Sequence, residues 1–242
     1  MRIRVIVPVA TDKWDALAAS RSGLGLNPET VLDVVHLGYG PEAIQSEYTE
    51  ARAAHFVLEE VQKGLDSGCD AMVIWCFSDP GLAAAREISS VPVLGIGHTA
   101  QLIALDLADR VGIITTLDQS VNRIRRKIAA RGLAARIPCV RPLNIPVLEY
   151  DQKDRVLSRA GEIAARMIEH DGVEGIILGC GAMDGARAFI EKEFGVPVIE
   201  PGPVTVKQAE TVVGFGLCHS KRSYMDPLPV TEHEPGSPGE TS

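Results

Sequence analysis

One sequence pattern occurs twice in the chain and constrains its fold more than any other feature. In the first copy, an apolar run that starts after Gly68 ends at Cys76, where a helical segment follows. In the second copy, the run after Gly172 ends at Cys180, so both glycine-to-cysteine intervals are eight residues long. A Val-Pro-Val segment follows each cysteine further along. Such self-similarity predicts two copies of one α/β unit, each ending a central strand in a thiol.

Short runs rich in valine and isoleucine alternate with amphipathic segments along the chain. The run Ile3–Val9 is short and rich in valine and isoleucine, which is typical of a parallel strand buried on both faces. We therefore predict an α/β protein with two pseudo-symmetric lobes, each a parallel sheet of about four strands flanked by helices. The first lobe is expected to comprise residues 1–100 and 204–226, and the second residues 101–203. Residues 227–242, rich in proline and glycine, are expected to form a disordered tail.

The composition narrows the class of protein. A chain of 242 residues with 45% hydrophobic residues can build two small lobes, and a net charge of −8 disfavours a nucleic-acid partner. Five cysteines without a C-x-x-C pair favour neither a disulfide framework nor a zinc site. The N-terminal apolar run is too short for a signal peptide, and no stretch reaches membrane-spanning length. We expect a cytoplasmic protein with no metal and no nucleic-acid or membrane partner.

The two matched cysteines are the strongest candidates for chemistry. Ligands of open parallel sheets bind beyond the carboxyl ends of the strands, where Cys76 and Cys180 are predicted to lie. We also expect each cysteine at the start of a helix, whose dipole and free N–H groups lower the thiol pKa. An unpaired cysteine is more often an inert core residue, and this alternative holds for Cys69, Cys139 and Cys218, which have no counterpart. The duplication in register favours a functional pair.

Other residues near the predicted strand ends are candidates for substrate binding. Backbone amides after the cysteines, two hydroxyls and a histidine suit the binding of substrate oxygens. These candidates are Phe77, Ser78, His98, Thr115, Thr116, Gly181 and Ala182. For His98, a purely structural role is an equally good alternative. A basic run at 123–127 is interpreted as the solvated face of a surface helix rather than as a partner site.

Several motifs together resemble those of the hydantoin and allantoin racemases in the Asp/Glu racemase superfamily. The matching segments are Cys76–Leu82, Ala84–Glu87, Val91–Gly97, Ile176–Met183, Gly195–Ile199 and His219–Arg222. The resemblance covers nearly the whole chain up to around Pro227. It implies a cofactor-independent racemase with two pseudo-symmetric flavodoxin-like lobes and an active site in the cleft between them. It also implies that Cys76 and Cys180 are the two acid/base residues.

The chain departs from the family pattern at several positions. His98 stands where the family usually has a glutamate, and Val7 and Val9 stand where asparagines flank the proline of the first strand. Glu200 and Pro201 replace an Asp-Gly pair after the last strand. Both cysteines are retained, so these departures concern the substrate rather than the chemistry.

The implied mechanism is inversion of C5 in a hydantoin-like substrate, a 5-substituted hydantoin or allantoin. One thiolate removes a proton while the other thiol delivers one to the opposite face, and Thr115 and Thr116 are candidate donors to the enolate oxygen. Other superfamily enzymes using the same cysteines remain alternatives: an amino-acid racemase, a maleate-type isomerase or a decarboxylase. A non-catalytic small-molecule sensor would need no thiolate. The expected partners are a small-molecule substrate and further copies of the chain in a homo-oligomer.

Overall fold

A computed structural model describes residues 1–21 and 24–228 and contains two parallel four-stranded sheets. The first sheet consists of β1 (Arg2–Val7), β2 (Val31–His36), β3 (Ala71–Ile74) and β4 (Val93–Gly95), in the order β2-β1-β3-β4. The second sheet consists of β5 (Val111–Thr115), β6 (Cys139–Pro142), β7 (Gly175–Leu178) and β8 (Val198–Ile199), in the order β6-β5-β7-β8. The two orders are identical, which confirms the predicted duplication and the α/β fold class.

Helices flank both sheets. They are α1 (Asp15–Ala18), α2 (Glu47–Asp66), α3 (Leu82–Ile88), α4 (Ile96–Leu107), α5 (Asp118–Ala130), α6 (Lys153–Asp171), α7 (Ala186–Phe194) and α8 (Pro201–Gly214), with a 3-10 turn at Val147–Glu149. Within the part of the chain that the structure describes, no helix combines the length and the apolarity that a membrane crossing requires. The predicted tail lies, from residue 229 onward, outside the described residues.

The burial of β1 on both faces has a direct structural explanation. Successive strand side chains point to opposite faces of a sheet. Ile3 and Val5 are buried in a cluster with Val206 of α8, whereas Ile6 is buried on the other face with Val57 of α2. Both faces of the first sheet are therefore covered by helices, and the buried Arg4 of this strand is paired with Asp33 and Glu60.

Two helices connect the sheets to each other. Ala100 and Ala104 of α4 pack in the cluster that contains Ile113 and Ile177 of the second sheet. Helix α8 follows the last strand of the second sheet but packs against the first sheet and against α4. The predicted lobe boundary at residue 100 falls within α4, and the division of the chain into lobes by residue number stays a prediction.

Candidate active site

The carboxyl ends of four strands surround a cavity of about 80 Å³ between the two sheets. Its walls are formed by the segments after β1 and β3 of the first sheet and after β5 and β7 of the second. These are the two central strands of each sheet, and the chain passes from the first of them to one edge strand and from the second to the opposite edge strand. Ligands of open parallel sheets bind at such switch points, so the topology alone assigns the cavity as a binding site.

Cys76 and Cys180 occupy equivalent positions in the loops after β3 and β7, and both line the cavity. The Cys76 sulfur lies 3.3 Å from the Ser78 hydroxyl and also accepts the backbone N–H of Ser78. The Cys180 sulfur accepts the backbone N–H of Ala182. Each sulfur therefore has a hydrogen-bond donor two residues further along the chain. Such donors stabilise a thiolate more than a thiol.

Burial raises the pKa of both thiols, whereas the sequence analysis expected a helix dipole to lower it. The Ser78 contacts oppose this effect at Cys76, and burial raises the pKa of Cys180 to about 12. Helices α3 and α7 begin only at Leu82 and Ala186, so neither cysteine lies in a first helical turn. Because the dipole effect decays within that turn, the expected activation by the helix is wrong.

The two thiols also influence each other's ionisation. A negative charge on Cys76 raises the pKa of Cys180. Removal of a second proton from such a pair costs more than removal of the first, because like charges repel across a short, poorly solvated gap. Between the first and the second ionisation, the cavity therefore holds one thiolate and one thiol. This state provides one proton acceptor and one proton donor.

Hydroxyl groups line the wall contributed by the second sheet. Thr115 ends β5, and Thr116 follows it, with both side chains buried. The Thr116 hydroxyl lies 3.3 Å from the hydroxyl of Ser120 in the first turn of α5. Of the predicted site residues, Phe77, Ser78, Thr115, Thr116, Gly181 and Ala182 line the cavity together with the two cysteines.

Trp75 links the two cysteine-bearing loops. A Cβ atom added to Gly181 would lie 2.7 Å from the indole Nε1 of Trp75, and one added to Gly202 would lie 2.2 Å from its ring. Only glycine leaves room for such an approach, because real Cβ contacts shorter than 3.0 Å are essentially absent. The indole therefore holds the loop of Cys180 against the strand that leads to Cys76.

His98 is not among the residues that line the cavity. The sequence analysis placed it after a strand at the cleft mouth, but β4 ends at Gly95 and His98 lies in the first turn of α4. Burial, together with the charges of Arg131 and Arg86, lowers its pKa to about 4. The predicted location is wrong because the chain turns into a helix directly after Gly95.

The basic run on α5 is not a solvated face, as the sequence analysis had interpreted it. Arg126 pairs with Glu47 at the surface, but Arg123 is only 5% exposed and lines the cavity. Glu50 of α2 binds both Arg123 and Lys127, so these ion pairs join the two halves of the molecule. The spacing of basic residues on one helix contains no information about acidic partners that lie far away in sequence.

The remaining wall is largely apolar. Residues of this wall include Val7, Pro8, Val9, Trp14, Ala43, Ile44, Ile124 and Val147. Among the described residues, no three His, Cys, Asp or Glu side chains converge in an arrangement that could hold a metal ion. Ser120, Arg123 and Trp75 are lining residues that the sequence analysis did not propose. For Trp75, an aromatic residue next to a predicted strand end was the available signal, whereas Ser120 and Arg123 lie within α5 and gave none.

Comparison with known proteins identifies the relatives of this chain. The model of the family described as Asp/Glu/Hydantoin racemase matches residues 10–209. A hydantoin racemase from Rhizobium meliloti is 35% identical over 91% of this chain and 92% of its own length. The structure of an allantoin racemase from Klebsiella pneumoniae superposes with a TM-score of 0.90 at 30% identity, covering 97% of this chain and 96% of that chain. An allantoin racemase from Pseudomonas fluorescens gives a TM-score of 0.91 at 29% identity, with 97% and 100% coverage.

Proposed function

Since the chain belongs to the Asp/Glu/hydantoin racemase family and is a racemase, we propose that it inverts C5 of a hydantoin-like ring. The substrate class is a 5-substituted hydantoin or allantoin, which agrees with the activities named for its relatives. The observation that supports this proposal most strongly is the pair of equivalent cysteines, Cys76 and Cys180, in one cavity.

The proposed mechanism uses one thiolate and one thiol. The thiolate removes the C5 proton, and the electron pair of the broken C–H bond moves onto the oxygen of the adjacent ring carbonyl. The opposite thiol then donates its proton to the other face of C5, and the electrons return from the oxygen to carbon. The products are the mirror-image substrate and an enzyme whose two sulfurs have exchanged protonation states. No electron acceptor or co-reactant is needed.

The hydrogen bonds around the sulfurs favour Cys76 as the resting thiolate. Cys76 has both the hydroxyl and the backbone N–H of Ser78 as donors, whereas Cys180 has the N–H of Ala182. A thiolate with more donors is stabilised more, so the enantiomer that presents its C5 proton to Cys76 needs no prior proton transfer between the sulfurs. We propose Thr115 and Thr116 as donors to the carbonyl oxygen of the ring.

Single cysteine variants test the two-base mechanism. Cys76→Ser and Cys180→Ser are each expected to lose racemisation, because inversion requires an acid and a base on opposite faces. In deuterated water, the remaining thiol is expected to exchange the C5 hydrogen of one enantiomer without inversion, and the enantiomer that exchanges should differ between the two variants. Polarimetry and proton NMR on optically pure substrates measure both outcomes.

Cys218→Ser is the matched control, since Cys218 is an exposed free cysteine remote from the cavity lining. This variant is expected to racemise like the wild type. Full racemase activity in either variant of the cavity cysteines would refute the two-base mechanism. A product with a different constitution or double-bond geometry would instead identify a decarboxylase or an isomerase of another type.

The state of the five cysteines bears on where such an enzyme works. All five are unpaired, and the mechanism requires two of them as free sulfurs. A reducing compartment keeps such thiols active, which supports the proposal of a cytoplasmic enzyme. The homo-oligomer stays a prediction that light scattering of the purified protein would test.

A further inference from the structure

Arg123 is a buried cation on the wall of the cavity. It projects from α5 towards α2, where its Nη1 donates to Glu50 at 3.0 Å and to the backbone carbonyl of Ser46 at 3.3 Å. Its Nη2 lies 3.5 Å from the Ser120 hydroxyl. The Nε–H group is buried and has no acceptor within residues 1–21 and 24–228. Nη2 carries a second N–H that has no acceptor among these residues, so the guanidinium, which lines the cavity, keeps a donor for a bound molecule.

The charges around Arg123 leave this wall positive. Glu50 accepts hydrogen bonds from both Arg123 and Lys127, so two cations share one carboxylate. Lys127 also donates to the carbonyl of Ser78 rather than to a second carboxylate. Glu42, the acidic residue of the cavity lining, is exposed, where water and salt screen its charge. The uncompensated positive charge therefore lies on the buried side of the cavity.

Arg123 also acts on one of the two sulfurs. Burial raises the pKa of Cys76, but the charge of Arg123 opposes that increase, and the charge of Glu50 adds to it. The field of the guanidinium therefore reaches the position where the reacting carbon of a bound ring would lie, next to the sulfur. The oxygen of the ring carbonyl next to that carbon would lie within the same field.

We infer that Arg123 is a catalytic residue that binds the substrate carbonyl oxygen on which negative charge develops when the C5 proton is removed. This inference rests on the proposed function, because it assigns a donor to the enolate oxygen of that reaction. A guanidinium held in place by Glu50 and Ser46 is preorganised, and it acts in a buried site where its field is weakly screened. Thr116 and Ser120, hydrogen-bonded to each other beside Arg123, complete a polar wall opposite the apolar one.

The test compares three substitutions on the same pair of helices. Arg123→Gln removes the charge, and Glu50→Gln breaks the same bridge between helices but leaves the cation. Arg126→Gln removes an exposed bridge of a residue that does not line the cavity. Loss of one preorganised oxyanion donor typically lowers kcat by about 10²–10³-fold. We expect a loss of that size in Arg123→Gln with a much smaller change in KM, because the interaction strengthens mainly in the transition state. Arg126→Gln should racemise like the wild type.

Two outcomes would overturn the inference. One is a kcat of Arg123→Gln within a few-fold of the wild type. The other is an equal loss in Glu50→Gln, which would assign the effect to the bridge between α2 and α5 instead of to the cation. Arg123→Lys, which keeps the charge on a side chain without the planar fork, is expected to recover part of the lost kcat. If Arg123→Gln does not fold, the comparison of Arg123→Lys with Glu50→Gln decides the question, because only the former changes the donor.

A second measurement needs no substrate and separates this inference from the proposed function. In a Cys180→Ser background, the rate at which iodoacetamide alkylates Cys76 is followed by mass spectrometry as a function of pH. Arg123→Gln is expected to shift this profile to higher pH, because the cation that favours the thiolate is gone. An unshifted profile would contradict a role of Arg123 at this sulfur. Failure of the wild type to racemise any hydantoin or allantoin would refute the proposed function and leave the alkylation result standing.

Discussion

Gly97→Ala is expected to displace the loop that contains Cys76. Gly97 lies in the first turn of α4, and its N–H donates to the carboxylate of Asp79 at 2.8 Å. A Cβ atom at this position would lie 1.9 Å from the backbone oxygen of Phe77. Separation from 1.9 Å to an ordinary contact of at least 3.0 Å requires a movement of about 1.1 Å. The atom in the way belongs to the backbone next to Cys76, so no side-chain rotation can relieve the contact.

The magnitude follows from two opposing effects. Replacement of glycine by alanine inside a helix stabilises the fold by about 1 kcal/mol. Overpacking a buried site costs about 1–3 kcal/mol, so Gly97→Ala should lower the free energy of unfolding by up to about 2 kcal/mol. For a chain of this size, that corresponds to a decrease in Tm of about 4–8 °C. A displacement of about 1 Å at a reacting group costs about 100-fold in rate.

Gly214→Ala in α8 is the matched control, because a Cβ atom there meets nothing within 4 Å. This variant is expected to be as stable as the wild type or slightly more stable, with unchanged racemisation. Thermal unfolding followed by circular dichroism, together with polarimetry, measures both quantities for both variants. If Gly97→Ala were as stable and as active as Gly214→Ala, the packing of the Cys76 loop against α4 would not position the sulfur.

Three other predictions concern ionisable groups. Asp79 is a buried residue with a left-handed backbone (φ 52°), and its carboxylate pairs with Arg131 at 2.9 Å. Asparagine tolerates that backbone but carries no charge, so Asp79→Asn leaves the cation without its ion-pair partner. The free energy of unfolding, measured by urea denaturation, should fall by about 3 kcal/mol. The Thr30 hydroxyl donates to the Glu210 carboxylate at 2.5 Å. Burial opposes ionisation of this carboxyl group, but hydrogen bonds from Lys207, Thr30 and the loop backbone lower its pKa from 4.5 to about 2. Its contribution to stability is therefore complete above pH 4.5 and declines as the pH falls towards 2. In urea denaturation, the difference in free energy of unfolding between the wild type and Glu210→Gln should therefore shrink on acidification. Because burial raises the pKa of Cys76, racemisation should accelerate from neutral to alkaline pH as the first thiolate forms. Burial also raises the pKa of Cys180 from 9.0 to about 12, so the folded state should lose stability between pH 9 and 12, where the unfolded thiol ionises first. Polarimetric rates test the first expectation and urea midpoints over the same pH range test the second. A quantity that stayed constant would contradict its prediction.

The sequence alone was sufficient for the fold class and for the identity of the central pair. The apolar runs of β3 and β7 lack polar alternation because both faces of a parallel strand are covered, and this pattern is visible in the sequence itself. The repeated interval between a glycine and a cysteine placed Cys76 and Cys180 at the ends of equivalent strands. That inference required only the internal similarity of the chain, and the identical strand orders of the two sheets confirm it.

Only the tertiary structure decided the environment of each side chain. Whether a thiol pKa rises or falls depends on the balance of burial against nearby donors, and the sequence did not reveal that α3 and α7 begin well after the cysteines. His98 and Arg123 show the same limit of sequence reasoning, since one was predicted at the site and is not in the lining, and the other was not predicted and is. The histidine lies in the first turn of α4 and does not line the cavity, whereas the arginine lines it and is paired with Glu50, a residue of another helix. Periodicity describes the face of one helix, but the burial of a charge is determined by partners that the fold brings from distant parts of the chain.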